Sequence, residues 1–354
     1  MNAAPVLQPS YLPALHAPDG LFSLRVNLLF AALVALALVS AARLLARRGE
    51  HRLPPVMGIM AAFIFAAQMA NFPVAAGVSG HLLGGTLAAI LLGPWAATLI
   101  MGVVIFFQAL LGDGGLTALG PNIFNMGIVG TFGGYLIFLA VRAGSQQPSR
   151  VVAAGAFAAW CAVSLASVAI SIQLALSGTA GLQRVLPAML GIHMLIGVGE
   201  ALITAAALAF VLKTRPDLVY GLSSSRAPVC GSITRFGLAA SVLACLALGL
   251  AAGPVPAYLS APDGFEYVGR QQGFLPEEFE APESETPESE PTELSVAATS
   301  LAGGLGTLAM FAGSLLVGHV LTRRSRLERA LEGSTSTTNH EHRSRHARAA
   351  SDSD

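Results

Sequence analysis

Leu15-His16-Ala17-Pro18-Asp19-Gly20 stands just ahead of an apolar run over 25–42, RVNLLFAALVALALVSAA. A polar turn set against a largely apolar run reads as a membrane edge followed by a span, because roughly 20 apolar residues cross a hydrocarbon core. The whole chain follows that reading. It has 354 residues, 54% hydrophobic and only 11% charged, with a mean hydropathy of +0.65. Soluble domains carry about 25% charged residues, so the composition specifies an integral membrane protein. Residues 1–20 lack the basic n-region of a signal peptide, and the run from Val26 to Ala42 is long enough to stay as an anchor.

Working outward, further apolar segments fall at 56–73, 81–92, 94–111, 121–141, 151–176, 187–212, 236–253 and 297–321. The expected fold is an all-α integral membrane protein with about nine transmembrane segments. Charge sets the orientation. Arg43, Arg47, Arg48 and Arg52 follow the first segment, Arg142 and Arg150 the fifth, Lys213, Arg215, Arg226 and Arg235 the seventh, and Arg323, Arg324 and Arg326 the ninth. With nine crossings, every basic cluster falls on one side, which the positive-inside rule makes cytoplasmic. The N-terminus and His16 are then outside, with the C-terminus in the cytoplasm.

Segment 81–92 is too short to cross alone, since as a helix it is roughly 18 Å long. Short glycine-interrupted segments are tolerated inside a bundle and often border binding sites. At its head lies His81, in Ser79-Gly80-His81-Leu82-Leu83-Gly84. The alternative is that Gly93-Pro94 merely splits one long hairpin; His81 stays on the outer side in either case. Imidazole suits nickel, cobalt, copper and zinc, so two outer histidines in an apolar bundle favour transition-metal handling; the alternative is that each is an ordinary interfacial side chain.

Other polar residues bear on that site. Asn122 and Asn125 share a helix face at i, i+3. Their amides are expected to bond loops or orient an imidazole, or else simply to cap a helix start. His193 and Glu200 lie seven apart on one helical face within a span. Ionisable groups there are functional candidates, as part of a metal or proton path, or a packing pair that fixes helix contacts. Residues 277–293 are acidic and proline-rich, read as a solvated outer loop. The tail from Gly333 carries His340, His342 and His346 and reads as disordered.

Several classes are excluded. The net charge of zero gives no basic field for nucleic acid. Lys213 is the only lysine and has no glycine loop ahead of it, so the chain carries no P-loop ATPase. Cys161, Cys230 and Cys245 form no C-x-x-C pair and read as small apolar fillers. No nucleophile–base pair marks an enzyme.

The motifs together resemble a known family. His16-Ala17-Pro18-Asp19-Gly20, Ser79-Gly80-His81-Leu82-Leu83-Gly84, Gly93-Pro94-Trp95, Gly112-Asp113-Gly114-Gly115-Leu116-Thr117-Ala118-Leu119-Gly120, Asn122-Ile123-Phe124-Asn125-Met126-Gly127 and His193 to Glu200 are similar to the CbiM/NikM membrane substrate-capture subunits of nickel and cobalt energy-coupling-factor transporters. Pro262-Asp263-Gly264-Phe265-Glu266 resembles the Pro-Asp-Gly-Leu-Glu signature of the small NikN-type accessory subunit, with Phe in place of Leu.

The resemblance implies a fusion: an N-terminal extension (1–14), a metal-capture domain with about seven spans (15–215), a cytoplasmic linker (216–235), a two-span accessory domain (236–322) and a cytoplasmic tail (323–354). It implies Ni(II) or Co(II) as the transported substrate, and as partners two ATPase subunits and a transmembrane coupling subunit. In the family the ion is held by four nitrogens: the N-terminal amine, the amide of the second residue, that residue's imidazole, and a second imidazole from a later loop. Carried over, these are the Leu15 amine, the His16 amide and ring, and His81.

The chain departs from the pattern at its start, because the family begins Met-His. With residues 1–14 attached, Leu15 has no free amine. Either proteolysis exposes Leu15, or residue 15 is encoded by an alternative initiation codon and translated as the first methionine; the second is the reading taken. A different class remains open, a proton-coupled secondary metal-cation permease using His193 and Glu200 as a relay. A structural membrane subunit with no metal dependence is a third.

Overall fold

A computed structural model describes residues 16–48, 53–69, 72–75, 78–222 and 263–275. Leu15, the expected spans over 236–253 and 297–321, the acidic stretch 277–293, the tail, and both Cys230 and Cys245 lie outside the described residues.

Six of the expected segments are helices: α1 (Leu24–Arg48), α2 (Leu53–Gln68), α4 (Pro94–Leu110), a rod over 119–142, α7 (Pro148–Ser177) and α8 (Leu182–Thr214). Among the described residues, α1, the rod, α7 and α8 are long and apolar enough to cross a membrane. Leu28, Leu29, Leu33 and Leu36 on α1 and Leu195, Val198 and Leu202 on α8 are exposed. Side chains of this kind on the outside of a bundle suit hydrocarbon as solvent. The core gathers Ile64 and Phe65 of α2, Leu87 and Ile90, Ile100 and Met101 of α4, and Phe138.

The α7–α8 pair depends on small residues. A side chain at Gly155 would strike Leu208, and one at Gly197 would strike Trp160. Helices in lipid gain their affinity from such close approach. Trp160 Nε1 then reaches across to donate to the Met194 carbonyl at 3.0 Å.

The rod consists of α5 (Leu119–Ile123), a π-helix (Phe124–Gly133) and α6 (Gly134–Arg142). π-helical turns are rare and gather at functional sites. Here hydroxyls take up backbone carbonyls of the widened helix. Thr131 Oγ1 donates to the Gly127 carbonyl at 2.6 Å, and Thr86 Oγ1 to that of Gly130 at 2.8 Å.

Two expectations need correction. The segment over 81–92 is helical only as α3 (Gly85–Leu92). Gly84 adopts φ 76°, a left-handed conformation that closes the irregular stretch 81–84 before the helix begins. His81 therefore sits on a loop, not at the head of a helix. The fold is also not purely helical. β1 (Phe72–Ala75) and β2 (Val78–Gly80) form an antiparallel hairpin, pairing Phe72 with Gly80, that leads into the His81 loop.

One further helix, α9 (Gly264–Gln271), follows the long undescribed stretch. Asp263 caps it by accepting the Glu266 N–H at 2.7 Å. Phe265 and Val268 are buried, and Asp263 bridges to Ser79 of β2. This places Asp263 and Gly264 of that signature directly beside the His81 loop.

Candidate metal-capture site

His16 is held by a knot of backbone contacts. The Ala17 carbonyl accepts the Gly115 N–H at 2.9 Å and Asn122 Nδ2 at 3.0 Å. Asp19 Oδ1 accepts both the N–H and the hydroxyl of Thr117, each at 2.6 Å. Burial raises the Asp19 carboxyl, but the Thr117 bonds and the Leu116 and Ala118 N–H groups outweigh it and hold it below the ordinary carboxylate range. Thr179 Oγ1 donates to the Leu21 carbonyl at 2.6 Å. The loop over 112–118 thus clasps the loop over 16–21. Gly114, at φ 98°, lies so close under the His16 side chain that no Cβ fits.

The His16 ring is buried, 3% exposed. Its Nδ1 donates to Asp113 Oδ1 at 3.1 Å, and its Nε2 is buried with no hydrogen-bond partner. Few buried polar groups are left without a partner.

His81 faces it, with ring centroids 5.9 Å apart. Its Nδ1 lies 3.3 Å from the Leu82 carbonyl and its Nε2 3.6 Å from Asp263 Oδ2. Both nitrogens meet acceptors, an arrangement that suits the protonated ring. Burial pulls this imidazole down, but the Asp263 carboxylate outweighs burial and holds it above the ordinary histidine range.

Glu200 reaches the same loop from α8. Its carboxylate accepts the Leu83 N–H at 2.6 Å and the Gly84 N–H at 3.0 Å, and it is 1% exposed. Two otherwise orphaned donors ahead of α3 are thereby satisfied. His193, one face further along α8, bonds through Nδ1 to the Met189 carbonyl at 2.7 Å. Asn125 forms a reciprocal amide pair with Gln173, 2.8 Å in both directions.

His16, His81, Asn122, Asn125, His193 and Asp263 line one cavity of about 80 Å³. That is room for an ion and a few donor atoms, not for the organic ligands that fill pockets of about 300 Å³ and more. Among the described residues, no three His, Cys, Asp or Glu side chains converge as a ready cage for a metal.

The structure brings His16 and His81 together as the motifs imply, with Asn122 beside His16. It gives Asn125 to Gln173 and not to an imidazole, and Asn122 to the Ala17 carbonyl and not to a helix cap. His193 and Glu200 bond different backbone groups. Asp113 and Asp263 had appeared only inside motifs, and Gln68 and Gln173 not at all. Lone amides within apolar runs were the available signal.

The family described as "Cobalt uptake substrate-specific transmembrane region" matches residues 16–218. The chain is 41% identical over 209 residues to a putative fused nickel transport protein NikMN of Archaeoglobus fulgidus, covering 58% of this chain and 68% of that protein. It is 36% identical over 214 residues to the cobalt transport protein CbiM of Sorangium cellulosum, covering 58% and 94%. A crystal structure of a truncated transition metal transporter superposes with a TM-score of 0.51 at 33% identity, over 56% of this chain and 98% of that one. The chain belongs to this cobalt-uptake transmembrane family, the CbiM/NikM group, and its accessory signature is consistent with the fused NikMN relatives.

Proposed function

We propose that this chain captures Ni(II) or Co(II) at the outer face of a prokaryotic cell membrane, as the substrate-specific subunit of an ATP-driven importer of the energy-coupling-factor type. The observation that carries this is the pairing of a buried imidazole, His16, with a half-buried one, His81, across an ion-sized cavity. Imidazole donors select borderline transition metals over magnesium or calcium.

Two imidazoles are an incomplete set, and backbone nitrogens complete it. If the mature chain begins at Leu15, its amine and the His16 amide join the two rings. A chelate closed through the His16 amide uses Nδ1 of the same residue, since Nε2 cannot fold back. Nδ1 rests on Asp113 in the structure, so capture exchanges that contact for the ion. Asp263, from the accessory part, holds the other imidazole. Energy comes from two separate ATPase subunits through a transmembrane coupling subunit.

The proton-coupled permease reading needs His193 and Glu200 as a relay, and their separate backbone partners favour capture instead. Nickel and cobalt uptake in cells with and without the ATPase partners separates the two. Capture predicts uptake only with the partners, and its loss in His16→Ala and His81→Ala. Normal uptake in both variants would sink the site.

A further inference from the structure

The His81 loop is held from a second direction that the capture reading has not used. Gln68, the last residue of α2, is fully buried and donates Nε2 to the Leu83 carbonyl at 3.0 Å. Gln108, near the end of α4, is 1% exposed and donates its own Nε2 to Gln68 Oε1 at 3.0 Å. The direction of this chain is forced. The Leu83 carbonyl can only accept, so Gln68 must present its amide N–H there and its oxygen to Gln108. Gln108 must then present N–H, and its Oε1 is left buried without a partner. A buried orphan acceptor is unfavourable, so the arrangement is kept at a cost that packing alone does not require.

Gln108 is also tied to the other imidazole. Its backbone carbonyl accepts the Asp113 N–H at 2.9 Å, and Asp113 accepts the His16 Nδ1–H. One residue therefore sits at the base of both supports: by its main chain for His16, and by its side chain, through Gln68 and Leu83, for His81.

We infer that Gln68 and Gln108 are positioning residues that set the His81 loop relative to His16 and thereby fix the spacing of the two imidazoles for the ion. Glu200 holds the loop by its N–H groups and Gln68 by its carbonyl, so Leu83 is fastened on both sides. This rests on the reading of His81 as an ion ligand.

The test is nickel titration of the purified mature chain, beginning at residue 15, with affinity and the nickel ligand-field band as readouts. Gln68→Leu, which keeps the bulk and removes the amide, is expected to weaken nickel binding about tenfold, the lower range for groups that orient metal ligands, and to shift the band. Gln108→Leu is expected to act in the same direction but less. In a His81→Ala background neither glutamine change should weaken binding further, because the ligand they position is gone. Thr98→Val, a buried hydroxyl outside this chain of bonds, should bind like the parent. Should Gln68→Leu fail to fold, Gln108→Leu, which leaves the Gln68–Leu83 bond in place, carries the same comparison. If His81→Ala weakens binding while both glutamine variants bind like the parent, or weaken binding equally with and without His81, the positioning role is wrong. If His81→Ala itself binds like the parent, the capture site falls and the relay with it.

Discussion

His16 and His81, drawn from loops far apart in the chain, face each other with ring centroids 5.9 Å apart, and each has a carboxylate behind it. Asp113 stands behind His16 at 3.1 Å and Asp263 behind His81 at 3.6 Å. The carboxylates come from different parts of the chain, one from the loop before α5 and one from the cap of α9.

That arrangement makes Asp113 more than a loop residue. Asp113 accepts the Nδ1–H that capture hands over to the ion, so it competes with the ion for that nitrogen. Asp113→Ala removes the competitor, and nickel affinity is expected to hold or rise. Asp113→Asn keeps an acceptor oxygen and should bind like the parent. Titration of both purified variants checks this, and a loss of about tenfold or more in Asp113→Ala would show that Asp113 orients the ring and that Nδ1 is not the ligand.

The pH dependence follows from His81. A histidine must be neutral to bind a metal. Asp263 outweighs burial and holds the His81 ring above its ordinary range, so the proton stays on to higher pH. Affinity should therefore fall on acidification, starting above the ordinary imidazole midpoint of about 6.5. Asp263→Asn removes the opposing charge, and the fall should move to lower pH. Nickel affinity measured across the range from about pH 8 to about pH 5.5, where histidine titrates, tests both statements. An unchanged profile in Asp263→Asn would separate the two groups.

Glu200 makes a stability prediction as well as a functional one. Its two oxygens satisfy two N–H groups, at Leu83 and Gly84. Glu200→Gln can accept only one of them, and the other buried donor is stranded at a cost of about 1–3 kcal/mol. The thermal midpoint of the purified chain should drop. Nickel affinity should drop with it because the His81 loop loosens. A variant as stable as the parent would show that the loop finds other partners.

The start of the mature chain is a prediction about mass. The protein isolated from its own membrane is expected to begin at residue 15, and intact-mass measurement reads this directly. A chain blocked there, with residues ahead of Leu15 that cannot be removed, should lose most of its nickel affinity. Full affinity in the blocked chain would exclude the terminal amine from the ligand set.

Much of the fold was legible in composition. Apolar runs such as 25–42 and 151–176 have one stable form in hydrocarbon, a helix that satisfies its own backbone, and α1 and α7 follow them closely. The run 81–92 misled because its first residues are apolar but not helical. Gly84 at φ 76° and the bonds from Glu200 and Gln68 hold residues 81–84 as a loop. The hairpin over 72–80 was hidden in the same way, since a short strand among apolar residues carries no periodicity of its own.

The sequence by itself determined that this is a helical membrane protein and which family it belongs to, and it singled out His16 and His81 as candidate ligands. These depend on transfer free energy and on local motifs, both of which are written in consecutive residues. Only the tertiary structure decided that the two rings share a cavity, that Asp113 and Asp263 stand behind them, and that Asn125 pairs with Gln173. Hydrogen bonds act over about 3 Å, and the partners here lie on different helices. Which amide meets which carbonyl is set by how α2, α4, α8 and α9 pack.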